Sequence, residues 1–448
     1  MKRNLAVLLL LAVVAVLFAA PQNVSAQKPT PSQAAPEEPQ PPPPAAQEKE
    51  KVKGYTLPPE QYQKAVEYSR ARYQLYFIGF AYGLLILWLV LKLKWSARWR
   101  DWAERASRVR FVQALVYVPI LSLVTAVLGL PTDLYGQWLS LKYDQSVQGW
   151  GSWFWDWTKS QFIGIVLSVV LLWILYWVIR RSPRRWWFHF WLAALPILLF
   201  VFFIAPFVIT PLFFKFEPLE KTNPQLVTEI EKVVQRGGLT IPRERMFEMK
   251  ASEKLKSVNA YVTGFGASKR VVVWDTTIQK TTVPETLFVF GHEMGHYVLG
   301  HVWEGIAFFA VVLLVFLYLG YRGLHWMLGR WGAGWGLRGV DDWASLPVLL
   351  LLLSVFGFLF SPIASSYSRY QEHQADIYGL EVIHGLVPDS QQAAARAFQI
   401  LGEINLADPE PSTFIKIWLY SHPPLKERIE FALTYDPWSK GERPKYIP

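Results

Sequence analysis

Phe290-Gly291-His292-Glu293-Met294-Gly295-His296 is a His-Glu-x-x-His motif in a chain of 448 residues with 8 histidines. Residues four apart on an α-helix share a face, so the imidazoles of His292 and His296 can grip one zinc ion. Glu293 then lies beside the metal, placed to take a proton from a zinc-activated water. Two surface histidines on an ordinary helix are the bland alternative. The surroundings weigh against it, because the motif closes a polar stretch and leads directly into an apolar run.

That run is one of several. Hydrophobic residues make up 52% of the chain and charged ones 18%, with 22 Trp, 20 Tyr and 28 Phe. The apolar residues come in long blocks, the mark of a multi-pass membrane protein. The net charge of +10 arises from basic residues clustered at the ends of those blocks. This is a topology signal and argues against a nucleic-acid partner. Cysteine is absent, which excludes disulfides, thiolate chemistry and Cys-based zinc sites.

Residues 1–26 read as a signal sequence: Lys2-Arg3, an apolar run from Leu5 to Ala19, then Val24-Ser25-Ala26 as a cleavage site, with an uncleaved signal anchor as the alternative. Residues 27–56 form a Pro-rich linker with no means of burying a core. Apolar spans are expected at about 75–91, 111–130, 161–179 and 187–210, the last broken by Pro196, Pro206 and Pro211. Two more follow at about 303–321 and 346–363. Residues 92–110 and 180–185 are rich in Arg and Lys, whereas the loop expected at 131–159 has only Lys142 and Lys159. The positive-inside rule puts the basic loops in the cytoplasm, and by parity residues from about 212 to 302 lie outside. This inserted stretch should hold a helix from Asn223 to Arg236 and a hairpin of Ser257–Thr263 with Arg270–Trp274.

A catalytic zinc needs three protein ligands and an open position for water. His301 lies nine residues after His292, which on one continuous helix is the opposite face. Leu299 and Val302 stand where a metzincin needs Gly and His. The better third ligand is Glu372, in Ser368-Arg369-Tyr370-Gln371-Glu372-His373-Gln374-Ala375-Asp376. Asp376, four residues on, can accept a hydrogen bond from a ligand histidine. A solvated charged helix face is the alternative, but this stretch follows a span that returns it to the zinc motif. His373 points elsewhere. His422 and Arg428 are available oxyanion donors, with a helix cap and a surface arginine as the equal alternative. The strand Asn259-Ala260-Tyr261 can hold a substrate strand or simply pack the core.

With those residues in hand, the chain resembles the type I CAAX prenyl endopeptidases, integral-membrane zinc proteases of the gluzincin type. The motifs are Asn259-Ala260-Tyr261, Lys269 to Thr276, the zinc motif, Glu372 with Ala375-Asp376, and Tyr420-Ser421-His422-Pro423-Pro424. Leu130-Pro131 and Leu134-Tyr135 also fit. The resemblance implies a helical membrane barrel around a large chamber, with a zincin-like protease domain containing a small β-hairpin or sheet. It implies that Glu372 is the third ligand, that Asn259 and Ala260 bind substrate backbone, and that His422 and Arg428 support the transition state. The chain departs from the pattern in its signal and linker, which replace the family's first span, and in Tyr143-Asp144-Gln145, which replaces a Gly-Phe-Asn signature. It departs also in placing the protease domain outside the cytoplasm.

The fold expected is therefore mainly α: an N-terminal membrane domain at 57–215, a protease domain at 216–436 with two further spans, and a tail at 437–448. The function expected is a zinc metalloendopeptidase with one Zn2+ per chain, in a bacterial inner membrane, acting on peptides or membrane proteins. CAAX processing is the family's best-known activity. Heat-shock quality control of membrane proteins is the alternative within the enzyme class, and a scaffold with a structural zinc the alternative outside it. Glu293 speaks against the scaffold, since a structural site needs no base. Oligomeric state is not legible.

Overall fold

The computed structural model describes residues 51–203, 205–264 and 268–447. The signal sequence and residues 27–50 of the linker lie outside the described residues. Among the described residues, five helices are long and apolar enough to cross a membrane. In chain order the first helices are α1 (Pro59–Lys92), α2 (Trp95–Ala106), α3 (Arg110–Lys142), α4 (Trp150–Arg181) and the shorter apolar α5 (Trp186–Phe203). The expected span at 75–91 and its polar lead-in are one 34-residue helix, α1. At 1.5 Å per residue it is about 50 Å long, well beyond an apolar core of about 30 Å. Its first turns therefore stand clear of the bilayer, where the Tyr73 hydroxyl meets that of Tyr420 at 2.8 Å.

The loop expected at 131–159 is much shorter than its composition suggests. Helix α3 runs straight through Pro131 to Lys142, and only residues 143–149 connect it to α4. Proline removes one ladder hydrogen bond. The neighbouring Thr132 hydroxyl donates to the Gly129 carbonyl at 2.7 Å.

Between α5 and the second half of the protein lies a compact α+β layer. Its helix α6 (Pro224–Arg236) starts at Asn223, whose side chain accepts from the Leu226 amide, and stops at Gly237. The strands are β1 (Phe216–Pro218), β2 (Met246–Met249), β3 (Ala260–Thr263) and β4 (Arg270–Trp274). The expected hairpin is present as β3 and β4, with Ala260 opposite Val273. It forms half of a four-stranded sheet ordered β1-β2-β4-β3, with β2 and β4 parallel. Strand β3 is thus at an edge.

The motif helix α7 (Val283–Val298) follows, then α8 (His301–Met327), α9 (Leu346–Ile383), α10 (Ser390–Asn405), α11 (Thr413–Leu419) and α12 (Leu425–Thr434). Two buried clusters organise the whole. One unites α3, α4, α5, α8 and α9 in the membrane around Tyr117, Tyr176, Trp186 and Trp343. The other unites α6, α7, α9, α10 and α12 with the sheet around Phe288, Phe290 and Phe398.

The connections fall on two faces. Residues 51–57 lie against α10, where Val52 and Gln392 exchange two hydrogen bonds of 2.9 and 3.0 Å. The connection at 143–149 reaches the same layer, since Gln145 donates to the Ile404 carbonyl. The opposite face gathers the basic connections. There Arg100 forms a buried ion pair with Asp342 at 2.6 Å, and Arg338 meets Asp101 and Glu104 at 2.8 and 2.7 Å. The protein is mainly α, a multi-pass helical membrane barrel with a small mixed sheet.

Candidate metal centre

Helix α7 begins with strong local instructions. Thr282 and Glu285 form a reciprocal capping box with Pro284 in the first turn. The buried Glu285 also meets Arg396 at 3.2 Å, which ties the helix start to α10. Helix α9 crosses α7 at the motif, and glycines permit the approach. A Cβ on Gly379 would lie 3.0 Å from the His292 amide nitrogen, and one on Gly291 would lie 2.7 Å from Val382 Cγ1.

This crossing brings three donors together. The Nε2 atoms of His292 and His296 stand 3.2 Å apart. Glu372 on α9 places Oε2 3.2 Å from His292 Nε2 and Oε1 3.4 Å from His296 Nε2. All three residues offer ligand atoms within 4.8 Å of one another. Glu372 Oε2 is fully buried and accepts no hydrogen bond among the described residues. A buried carboxylate oxygen without a donor is costly unless a cation satisfies it. Two imidazoles and a carboxylate are also the donor set that suits zinc with one position left open.

Each histidine is held from behind. Asp376 Oδ1 lies 2.8 Å from His292 Nδ1. The carboxylate requires the proton on Nδ1, which leaves the Nε2 lone pair facing Glu372. Arg428 from α12 in turn donates to both Asp376 oxygens, at 2.9 and 2.5 Å. Both groups are almost fully buried. Arg428 thus donates chiefly to Asp376, while its Nη2 also lies 3.4 Å from His292 Nδ1 and 3.7 Å from Glu372 Oε2.

His301 does not lie on the far face of the motif helix. Helix α7 ends at Val298, and Gly300 turns the chain with φ of 78° before α8 begins at His301. Its Nδ1 comes 2.9 Å from His296 Nδ1, and its Nε2 lies 3.0 Å from Gln374 Oε1. A run read as one helix hides this, although Gly300 at the end of a periodic segment is a stop signal. His373, by contrast, is exposed and rests its ring on Phe431.

Glu293, next to His292 on α7, is half-buried and makes no hydrogen bond or ion pair among the described residues. Burial pushes its carboxyl above the ordinary carboxylate range, against the pull of His292 and His296. His422 is exposed at the mouth, with Nε2 3.2 Å from Glu372 Oε1. Its loop is held by Arg369, which donates to the Tyr420 carbonyl at 2.6 Å. Sequence reasoning missed Arg369, because its partners are backbone carbonyls some 50 residues away. Strand β3 packs on α7. Asn259 is fixed by Thr277, whose hydroxyl receives from the Asn259 amide at 2.8 Å. Ala260 is buried and Tyr261 half-buried, and the outer edge of β3 has no paired strand among the described residues.

Comparison with known proteins gives a consistent picture. A model of peptidase family M48 matches residues 220–436. A model of the CAAX prenyl protease N-terminal region, five membrane helices, matches residues 39–215. The chain is 37% identical to an uncharacterized metalloprotease of Bacillus subtilis, YhfN, over 86% of this chain and 89% of that one. It is 26% identical to human CAAX prenyl protease 1 homolog, over 79% of each. The crystal structure of S. mikatae Ste24p aligns with a TM-score of 0.71 at 23% identity, covering 85% of this chain and 90% of that one.

Proposed function

The chain belongs to peptidase family M48 as a multi-pass membrane metallopeptidase, and from this premise we propose that zinc is its metal and Glu293 its general base. The observation that carries the reading is the convergence of His292, His296 and Glu372, with Glu372 Oε2 buried and lacking a donor. These three residues would hold the ion. When bound, zinc lowers the pKa of a water towards neutrality and polarises a peptide carbonyl. Glu293 accepts the water's proton and returns it to the leaving amine.

The other residues have distinct duties. Asp376 keeps the His292 tautomer, and Arg428 keeps Asp376 charged and in place. This makes Arg428 a positioning residue, not a group that touches the oxyanion. His422, exposed beside Glu372, is the side chain placed to donate to that oxyanion. An extended peptide pairs with the open edge of β3 at Ala260 and Tyr261, with Asn259 at its end.

The protease face lies outside the cytoplasm of a bacterial cell, in the cytoplasmic membrane. The basic connections all collect on the opposite face, as the positive-inside rule requires of a cytoplasmic surface. Because several relatives are named as CAAX prenyl proteases, a C-terminal prenylated peptide is the first substrate to assay, beside an unfolded membrane peptide. Purified protein should cleave in a metal-dependent manner, with zinc restoring activity after chelation. Glu293→Gln should abolish cleavage while retaining zinc; full activity in that variant would refute the mechanism. Cysteines introduced in 92–110 and 389–410 should label from opposite sides of the membrane, the latter from outside.

A further inference from the structure

The ring of His422 has local support. Its Nδ1 meets the hydroxyl of the adjacent Ser421 at 2.9 Å, and its Nε2 faces Glu372, a residue assigned above to the metal. Where this exposed ring sits is therefore decided by the backbone that carries it. Pro423 and Pro424 follow, and a residue before proline is confined to extended backbone. A displacement at Tyr420, two residues upstream, passes to His422 with little give.

Tyr420 is anchored at both ends. On one side the carbonyls that close α11 sit on α9: Arg369 Nη1 donates to those of Lys416 and Tyr420 at 2.9 and 2.6 Å, and Ser361 donates to that of Trp418 at 2.9 Å. On the other side the Tyr420 hydroxyl reaches α1. The Tyr73 hydroxyl donates to Asp408 Oδ2 at 3.1 Å. An ionised carboxylate can only accept, so Tyr73 spends its one proton there, and Tyr420 must be the donor in the 2.8 Å contact between the two hydroxyls. Asp408 is itself tied down. Its Oδ1 accepts from the Glu410 amide at 3.1 Å, and the turn before it docks on α1, where Leu406 packs with Ala65 and Tyr68 and its carbonyl accepts from Ser69 at 3.4 Å. One turn along α1, Phe77 stacks on Phe414 of α11 with ring centroids 5.8 Å apart.

Resting on the assignment of His422 to the oxyanion, we propose that Tyr73 and Asp408 are positioning residues, which hold His422 in place through Tyr420. The chain of donors runs in one direction, from Tyr420 to Tyr73 to Asp408, so each hydroxyl has a single satisfied orientation. Tyr73 lies on the first membrane helix, 347 residues before Tyr420. That helix is thus part of the peptidase site as well as a wall of the barrel. Packing of α11 between α1 and α9 would by itself need the aromatic contacts, and not a directed pair of hydroxyls ending on a carboxylate.

The test uses the full chain, purified in mild detergent and loaded with zinc, cleaving a fluorescence-quenched farnesylated peptide. Tyr73→Phe and Tyr420→Phe should each lower kcat about tenfold, the loss of one hydrogen bond, with KM and zinc affinity unchanged. Asp408→Asn keeps an acceptor and should retain more activity than Asp408→Ala. Tyr82→Phe is the control: its hydroxyl is on the same helix but donates to the Leu128 carbonyl at 2.8 Å, and the variant should match the wild type. In a His422→Ala background, Tyr73→Phe should cause no further loss. Hydrogen exchange gives a readout that needs no cleavage: amides of residues 413–422 should exchange faster in Tyr73→Phe, while those of α7 do not. Losses that multiply in the double variant, or wild-type exchange at 413–422, would overturn the positioning role. Full activity in His422→Ala would instead remove His422 from the reaction, and with it anything for Tyr73 to position.

Discussion

The Nδ1 atoms of His296 and His301 lie 2.9 Å apart, although a turn separates their helices. With Nε2 of His296 directed at Glu372, the proton must sit on His296 Nδ1, and His301 Nδ1 accepts it. His301 Nε2 then donates to Gln374 Oε1 at 3.0 Å. The two motif histidines are therefore fixed by different means, His292 by a carboxylate and His296 by a neutral chain of imidazole and amide. Loss of a partner behind a metal-bound histidine lowers metal affinity by about 10- to 100-fold. His301→Ala should show a loss of that order in zinc competition titrations, with the protein still folded. An unchanged affinity would reduce His301 to packing.

Arg428 and Asp376 form a buried pair with two hydrogen bonds, and the pair abuts His292. Removing one member of a buried pair costs about 3–5 kcal/mol, because the other charge is left without compensation. Arg428→Met should therefore lower the melting temperature sharply. Adding Asp376→Asn to it should recover part of the loss, since the orphaned charge is then gone. Zinc affinity should stay reduced in the double variant, because a neutral carboxamide behind His292 is a weaker acceptor than the carboxylate of Asp376. Simple addition of the two single effects would contradict this coupling.

How much of this was legible in sequence depends on the range of the interaction. His292 and His296 are readable because a helix converts a spacing of four into one face. Glu372 and Asp376 are readable for the same reason, once the span before them returns the chain to the motif. His301 was hidden by reading the motif helix as continuous through Gly300 as far as His301. Strands β1 and β2 were hidden because Phe216–Pro218 and Met246–Met249 are too short to display an alternation. The extent of α3 was hidden by Pro131, which reads as a terminator yet sits inside the helix. Helix, turn and span signals are local, whereas these features depend on partners distant in the chain.

The crossing of α7 and α9 makes a sharper demand than either helix alone. A methyl on Gly379 would press on the backbone of His292, at 3.0 Å from N and 3.2 Å from Cα. Backbone cannot move aside as a side chain can. Gly379→Ala should therefore push the helices apart, at a cost on the order of 1–3 kcal/mol for overpacking. Because the displaced residue is itself a proposed ligand, zinc affinity should fall together with melting temperature. A variant as stable as wild type, with unaltered zinc binding, would show that the crossing has slack.

The last residues of the chain bear on the same helix. Amides of Lys445, Tyr446 and Ile447 donate to the carboxylate of Glu381, at 2.6, 2.6 and 2.9 Å. The Tyr435 hydroxyl donates to it as well. Glu381 is fully buried on α9, nine residues after Glu372. Three successive backbone donors satisfy a charge that nothing else on this helix could, and each such bond is worth about 1.5–3 kcal/mol. Truncation after Glu442 would strip them away and leave the carboxylate with the Tyr435 hydroxyl alone. The truncated protein should melt several degrees lower, and Glu381→Leu introduced into it should restore part of the loss by removing the buried charge. Were the truncation as stable as the full chain, the tail would be a passive end. A rescue by Glu381→Leu would instead identify residues 443–448 as the counterpart that makes a buried glutamate tolerable on the proposed metal-binding helix.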